Sequence, residues 1–260
     1  MSEKHAEQKP QASEIMMFGV IWGMVGAIYS ALFLIFLEIL IFIGYQNIAM
    51  PLAGLLAGGL GAAFYGAMQV AFMGTIAGVL ATFGYLVAIA ESNVHPLEVF
   101  IVAGVAGTVL GAGFGALDRF LIRGSLAKAL SGMLGGLIAA SLTWPFTLWL
   151  HWPVPIWLTA GILVAVTGYI YVASVERMER IVGGHIPYPV RGAILGGSLA
   201  GVIGVTVWAV GGTVTGTVDP TVMQAIETAG TLIPHGVAGG TLGGILAGSL
   251  IAYLGLTPKG

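Results

Sequence analysis

The chain has 260 residues, no cysteine and a net charge of −2, with 57% hydrophobic and only 8% charged residues and a mean hydropathy of +0.98. Soluble domains carry about 25% charged residues, so that class is excluded, as are disulfides, iron–sulfur clusters, thiolate metal sites and cysteine nucleophiles. The charge balance argues against nucleic acid or a polybasic lipid surface as partner.

Residues 1–14 are polar and mixed in charge. They lack the basic n-region and small-residue cleavage site of a signal peptide, so they read as a cytoplasmic tail and the first helix as retained. The apolar runs that follow are continuous and about 20 residues long, the length a helix needs to cross a hydrocarbon core. They do not alternate with period two as barrel strands would. Backbone groups in lipid must be satisfied within their own segment, so the prediction is an all-α, polytopic membrane protein of eight transmembrane helices. These run over residues 15–44, 51–68, 72–90, 96–120, 126–150, 154–175, 189–211 and 231–254. Residues 52–90 are short for two crossings, so a tight turn near Gln69 and a re-entrant pair both fit. Pro220 to Glu227 forms a candidate short surface helix, with Asp219 as its N-cap.

The nine Lys and Arg residues give the topology. With eight spans, Lys4, Lys9, Arg119, Arg123, Lys128, Arg177, Arg180, Arg191 and Lys259 all fall on one side, while the opposite connections hold Glu91, Glu98, Asp219 and Glu227 and no basic residue. Basic residues collect in cytoplasmic loops, so both termini are expected in the cytoplasm, across the plasma membrane of a prokaryote. Arg119, Arg123, Arg177, Arg180 and Arg191 are read as cytoplasmic anchors whose side chains snorkel to the interface. Trp149, Trp152, Trp157 and Trp208 fall at the outer helix ends, where interfacial aromatics belong.

The chain also reads as an internal duplication. Gly-Met-Val-Gly at 23–26 recurs as Gly-Met-Leu-Gly at 132–135, and Ala53-Gly54 with Gly61 recurs as Ala160-Gly161 with Gly168. Gly74-x-x-Ala77-Gly78-Val79 recurs at 197–202, and Gly104-Val-Ala-Gly107-x-x-Leu110-Gly111 at 236–243. Each helix therefore answers to the fourth after it. The expected division is a four-helix repeat over 15–122 and another over 123–260, parallel because four is even.

Forty-two glycines dominate the composition, many four residues apart. Gly107, Gly111 and Gly115, and Gly236, Gly240, Gly244 and Gly248, make the longest stripes and are read as helix-packing faces. Glu38 is the one acidic residue inside an apolar run, and an intramembrane carboxylate is a functional-site candidate by default. His151 and His235 fall at the same outer level, so the three residues could form a proton relay or a two-histidine, one-carboxylate site. Gln69 stands near the inner exit, and Thr206, Thr213, Thr215 and Thr217 would flank the outer mouth. No P-loop, nucleophile elbow, zinc-protease motif or dinucleotide fingerprint is present, and no histidine is placed deep enough to ligate haem. Neither an enzyme nor a bound cofactor is expected.

Two function classes fit. One is a transporter or channel for a proton, small ion or small or hydrophobic solute, with its pathway between the two four-helix halves. The other is a non-catalytic accessory or structural subunit of a larger membrane complex that uses its glycine-rich helix faces for packing. The partners expected beside the lipid bilayer are a second copy of the chain, which would favour the transporter, or other membrane subunits. The poverty of polar groups at mid-membrane (Thr75, Ser141, Thr143 and little more) argues against a strongly polar solute.

Overall fold

The computed structural model describes residues 11–66, 68–89, 94–149, 154–183, 185–215 and 218–256. They form nine helices: α1 (Ala12–Phe42), α2 (Ala49–Gly66), α3 (Met68–Ile89), α4 (Pro96–Leu117), α5 (Arg119–Ile122), α6 (Ser125–Trp149), α7 (Ile156–Gly183), α8 (Tyr188–Thr215) and α9 (Pro220–Tyr253). All but the single-turn α5 are long and apolar enough to cross a membrane. The protein is thus an all-helical chain of multi-pass type.

Two expectations change. The segment from Pro220 is not a separate surface helix but the first turns of α9, which at 34 residues is about 51 Å long. Asp219 does cap it, its Oδ1 accepting the Thr221 amide at 2.8 Å. α7 likewise continues two turns beyond residue 175, carrying Glu176–Arg180 on helix. α2 and α3 touch each other little and pack chiefly on different neighbours, α2 on α6 and α3 on α8.

The long helices sort into two groups. α1, α9, α7, α6 and α2 close a ring in that order, and α3, α4 and α8 form a triad beside it. Three antiparallel pairs pack most closely: α1 on α9, α2 on α6 and α4 on α8. Each brings glycine against glycine. A Cβ on Gly26 or Gly240, on Gly54 or Gly136, on Gly58 or Gly132, or on Gly107 or Gly196 would collide with the partner's carbonyl. Lipid gives no hydrophobic drive to bring helices together, so this backbone approach is the main source of their dispersion contact. Each pair joins a helix from before residue 122 to one from after it, so the two sequence halves interleave rather than forming separate bodies. The α1–α9 contact has no counterpart of similar extent between α6 and α4.

All six described basic residues gather at one end of the bundle. Lys128, at the start of α6, lies over Gly66 at the end of α2, and Gly115, at the end of α4, meets Tyr188 at the start of α8. Arg119, Arg123, Arg177 and Arg180 are exposed there. Arg191 is not: it is 2% exposed, donating from Nε to the Ile186 carbonyl at 2.8 Å and from Nη2 to the Val182 carbonyl at 3.2 Å. Its guanidinium stands 4.8 Å from the Tyr188 ring centre. Instead of snorkelling, it satisfies carbonyls at and beyond the end of α7, where a cation also complements the helix dipole. Tyr85 donates to Glu98 at 2.9 Å at the opposite end.

Candidate functional site

The five-helix ring is not filled. A cavity of about 40 Å³ lies inside it, walled by α1, α2, α6 and α7. One water needs roughly 10–15 Å³ on this measure, so there is room for about three. Three helices each present one face at the same i, i+3, i+4, i+7 spacing: Trp22, Val25, Gly26 and Tyr29 from α1; Gly58, Gly61, Ala62 and Tyr65 from α2; Val164, Thr167, Gly168 and Tyr171 from α7. Gly132 of α6 completes the wall.

Aromatic side chains shape this space. Trp22, Tyr65 and Tyr171 form a closed triad, with ring centres 5.8, 5.9 and 6.3 Å apart. Gly168 makes it possible, since a Cβ there would stand 2.6 Å from Trp22 Cζ3. On the far side Tyr29 stacks on Phe33 at 6.2 Å and accepts a hydrogen bond from the Thr167 hydroxyl. That bond is 3.4 Å long, slack against the 2.7–2.8 Å usual between hydroxyls. The Trp22 indole Nε1 is buried and has no hydrogen-bond partner among the described residues, and the same holds for the Ser30, Thr82 and Ser131 hydroxyls. Leaving a buried donor unpaired costs about 1–3 kcal/mol, and such groups in native proteins ask for an explanation.

Apolar clusters bracket the cavity. Towards the acidic end, Phe33, Leu34 and Leu163 pack with Ala53, Ala57, Ala139 and Ala140. Towards the basic end, Trp22 and Tyr171 pack with Val175, Ile251 and Phe18.

None of the ionisable candidates lies in this cavity. Glu38 is half-buried on α1, nine residues beyond Tyr29, and makes no hydrogen bond or ion pair with the described residues. His235 is exposed on α9. His151 and Thr217 lie outside the described residues. No three His, Asp or Glu side chains converge among the described residues. Gln69 lines a different, apolar cavity of about 300 Å³ between α3, α4 and α8, beside Phe72, Met73, Leu110 and Phe114. Thr206, Thr213 and Thr215 bond carbonyls of their own helix, as do Thr75 and Thr143, so these hydroxyls are already engaged. The glycine stripes are internal packing faces: Gly107, Gly111 and Gly115 meet α8, while Gly236, Gly240, Gly244 and Gly248 meet α1.

The residues missed from sequence are Trp22, Tyr29, Tyr65, Thr167 and Tyr171. Their signal was depth: interfacial aromatics sit at helix ends, whereas Trp22, Tyr29 and Tyr171 stand well inside apolar runs. Comparison with known proteins finds no match, whether to a protein family, a curated protein or a solved structure.

Proposed function

We propose that the protein is an integral membrane transporter or channel for a small solute, with its pathway through the five-helix ring. The observation that carries this reading is the cavity inside the ring, walled by three matching helix faces. Inert packing would close such a space, since interiors are filled to crystal-like density. α1, α2, α6 and α7 are also the first two helices of each proposed repeat, so a pathway here would run between the two halves. On this reading the basic end faces the cytoplasm of a prokaryotic cell, and both termini lie there.

The competing reading, a non-catalytic subunit of a larger complex, needs glycine faces free for a partner. The long stripes on α4 and α9 are instead closed within the chain, against α8 and α1. The deciding experiment is reconstitution. Liposomes carrying the purified protein should pass a small solute faster than protein-free liposomes. Equal rates for every ion and neutral solute tried, together with stoichiometric recovery of other membrane subunits from native membranes, would overturn the proposal.

A further inference from the structure

We propose that the hollow between α3, α4 and α8 holds an acyl chain of an anionic phospholipid from the leaflet at the basic end, with Arg119 on its phosphate. The proposal concerns a different part of the molecule from the ring and does not rest on the transport reading.

The triad is a wedge. At the acidic end its helices are drawn together: Tyr85 of α3 donates to Glu98 of α4 at 2.9 Å. A Cβ on Gly204 of α8 would stand 2.6 Å from both the Ala103 Cβ and the Thr82 hydroxyl. Close contact continues as far as Gly74 and Gly107, each of which faces the Gly196 carbonyl. Beyond them, towards the basic end, about 300 Å³ stands unfilled between Phe72 and Met73 on one side and Leu110 and Phe114 on the other. On the measure by which one water takes roughly 10–15 Å³, that is space for about 20 water-sized groups.

The hollow opens outwards, since Phe72 is 63% exposed and Leu110 41%. Around a membrane bundle the outside is hydrocarbon, not water. The walls are apolar apart from Gln69, so water would find too few partners there and a polar solute would lose its hydrogen bonds. A hydrocarbon chain loses nothing, and it supplies dispersion contact to glycine backbones that no side chain covers.

The headgroup follows from what closes the basic end. α5 lies there, touching all three helices of the triad, and its Ile122 shares one apolar cluster with Val70 and Phe114 of the hollow's wall. Arg119 opens α5. It is exposed, its guanidinium 6.0 Å from the Tyr188 ring centre, and it pairs with no carboxylate among the described residues. Adjacent Asp118 is engaged as the cap of α5, accepting the Phe120 amide at 2.9 Å. Leu117 and Phe120 flank this pair and are 86% and 82% exposed, as suits the boundary between headgroup and chain. A guanidinium can take a phosphate bidentately, and basic pockets between helices at a membrane face take anionic headgroups. An isoprenoid tail would fill the hollow but leave Arg119 without a counter-ion.

The test is photocrosslinking in phosphatidylcholine nanodiscs, doped with phosphatidylglycerol or phosphatidylcholine that carries a diazirine at mid-chain, with labelled residues mapped by mass spectrometry. The phosphatidylglycerol probe should label residues 69–74 and 107–114 roughly fivefold more than the phosphatidylcholine probe, the ratio that one basic residue near anionic lipid supplies. Arg119→Gln should equalise the probes. Arg177→Gln, which removes another exposed cation at the same end but on α7, should leave the preference intact. Met73→Trp should fill the hollow and cut labelling by both probes; if that variant does not fold, the two arginine variants decide. Equal labelling by the two probes in the wild-type protein would overturn the proposal in favour of ordinary boundary lipid. Equal losses of preference in Arg119→Gln and Arg177→Gln would overturn it in favour of the general charge of the basic end. Displacement of the label by an isoprenoid quinone, but not by unlabelled phosphatidylglycerol, would give the hollow a different occupant and overturn it too.

Discussion

Gly111 and Gly192 meet across α4 and α8 so closely that a Cβ on either would fall on the carbonyl of the other. Both atoms in each collision belong to backbone or its direct substituent, so no side chain can swing aside. Two residues further along α4, Gly113 has nothing within 4 Å of its Cβ position.

These two glycines make a matched test of what holds the bundle together. Gly111→Ala should lower stability by about 1–3 kcal/mol, the range for overpacking, a Tm drop of roughly 3–10 °C for a chain of this size. Gly113→Ala should leave Tm unchanged or raise it, because only the helix-propensity gain of up to about 1 kcal/mol remains. Thermal unfolding of both variants in one detergent decides the matter. Equal effects would mean that glycine content, not backbone approach, sets the stability.

The eight spans were readable because a continuous apolar run in lipid has one satisfactory structure. The stripe from Gly236 to Gly248 likewise showed which face of α9 is smooth. Neither told which helix lies on that face: lipid tails are as apolar as the side chains, so every face looks buried and periodicity carries no partner information. The five-plus-three arrangement was therefore invisible. Searching for ionisable groups drew attention to Glu38 and His235. The cavity is built instead from neutral aromatics and hydroxyls, and only the depth of Trp22, Tyr29 and Tyr171 in their runs marked them.

Glu38 provides the sharpest contrast between the two ways of reading the chain. If its carboxylate coupled transport to protons, Glu38→Gln would abolish flux. The cavity lies nine residues away along α1, about 13 Å at 1.5 Å per residue, and Glu38 touches none of it. On the proposed transport reading, Glu38→Gln should thus keep solute flux within about twofold of wild type, and expression should hold because the amide removes a charge from the membrane region. A collapse of flux with normal folding would move the pathway towards the α1 end.

Asp219 offers a pH-dependent check on the start of α9. It is exposed, and its carboxyl is held below its ordinary value of 3.8, chiefly by hydrogen bonding to the Thr221 side chain, with the Thr221 amide adding to this. A depressed folded-state value means that the ionised cap stabilises the helix start above the unfolded value, and that this contribution fades as pH falls through the folded one. Protection of the Thr221 and Val222 amides, measured by hydrogen exchange and corrected for intrinsic rates, should therefore be flat from pH 6 to about 4.5 and decline below about 4. In Asp219→Asn the side-chain oxygen still accepts, so the cap should persist while the decline disappears.

Orientation can be settled because the chain has no cysteine, so one introduced thiol is the only labelling site. Arg180 and Glu227 are both exposed, on the basic end of α7 and the acidic end of α9 respectively. In intact cells, Glu227→Cys should react with a membrane-impermeant maleimide, and Arg180→Cys only after permeabilisation. The expectation follows from charge alone: six described basic residues crowd the end that holds Arg180, and segments rich in Lys and Arg near helix ends stay on the cytoplasmic side during insertion. The reverse pattern would invert the protein and put the buried Arg191 at the outer face. Labelling of both thiols in intact cells would show two orientations in one population. The nearly even net charge of −2 would then matter less than expected beside the placement of the basic residues.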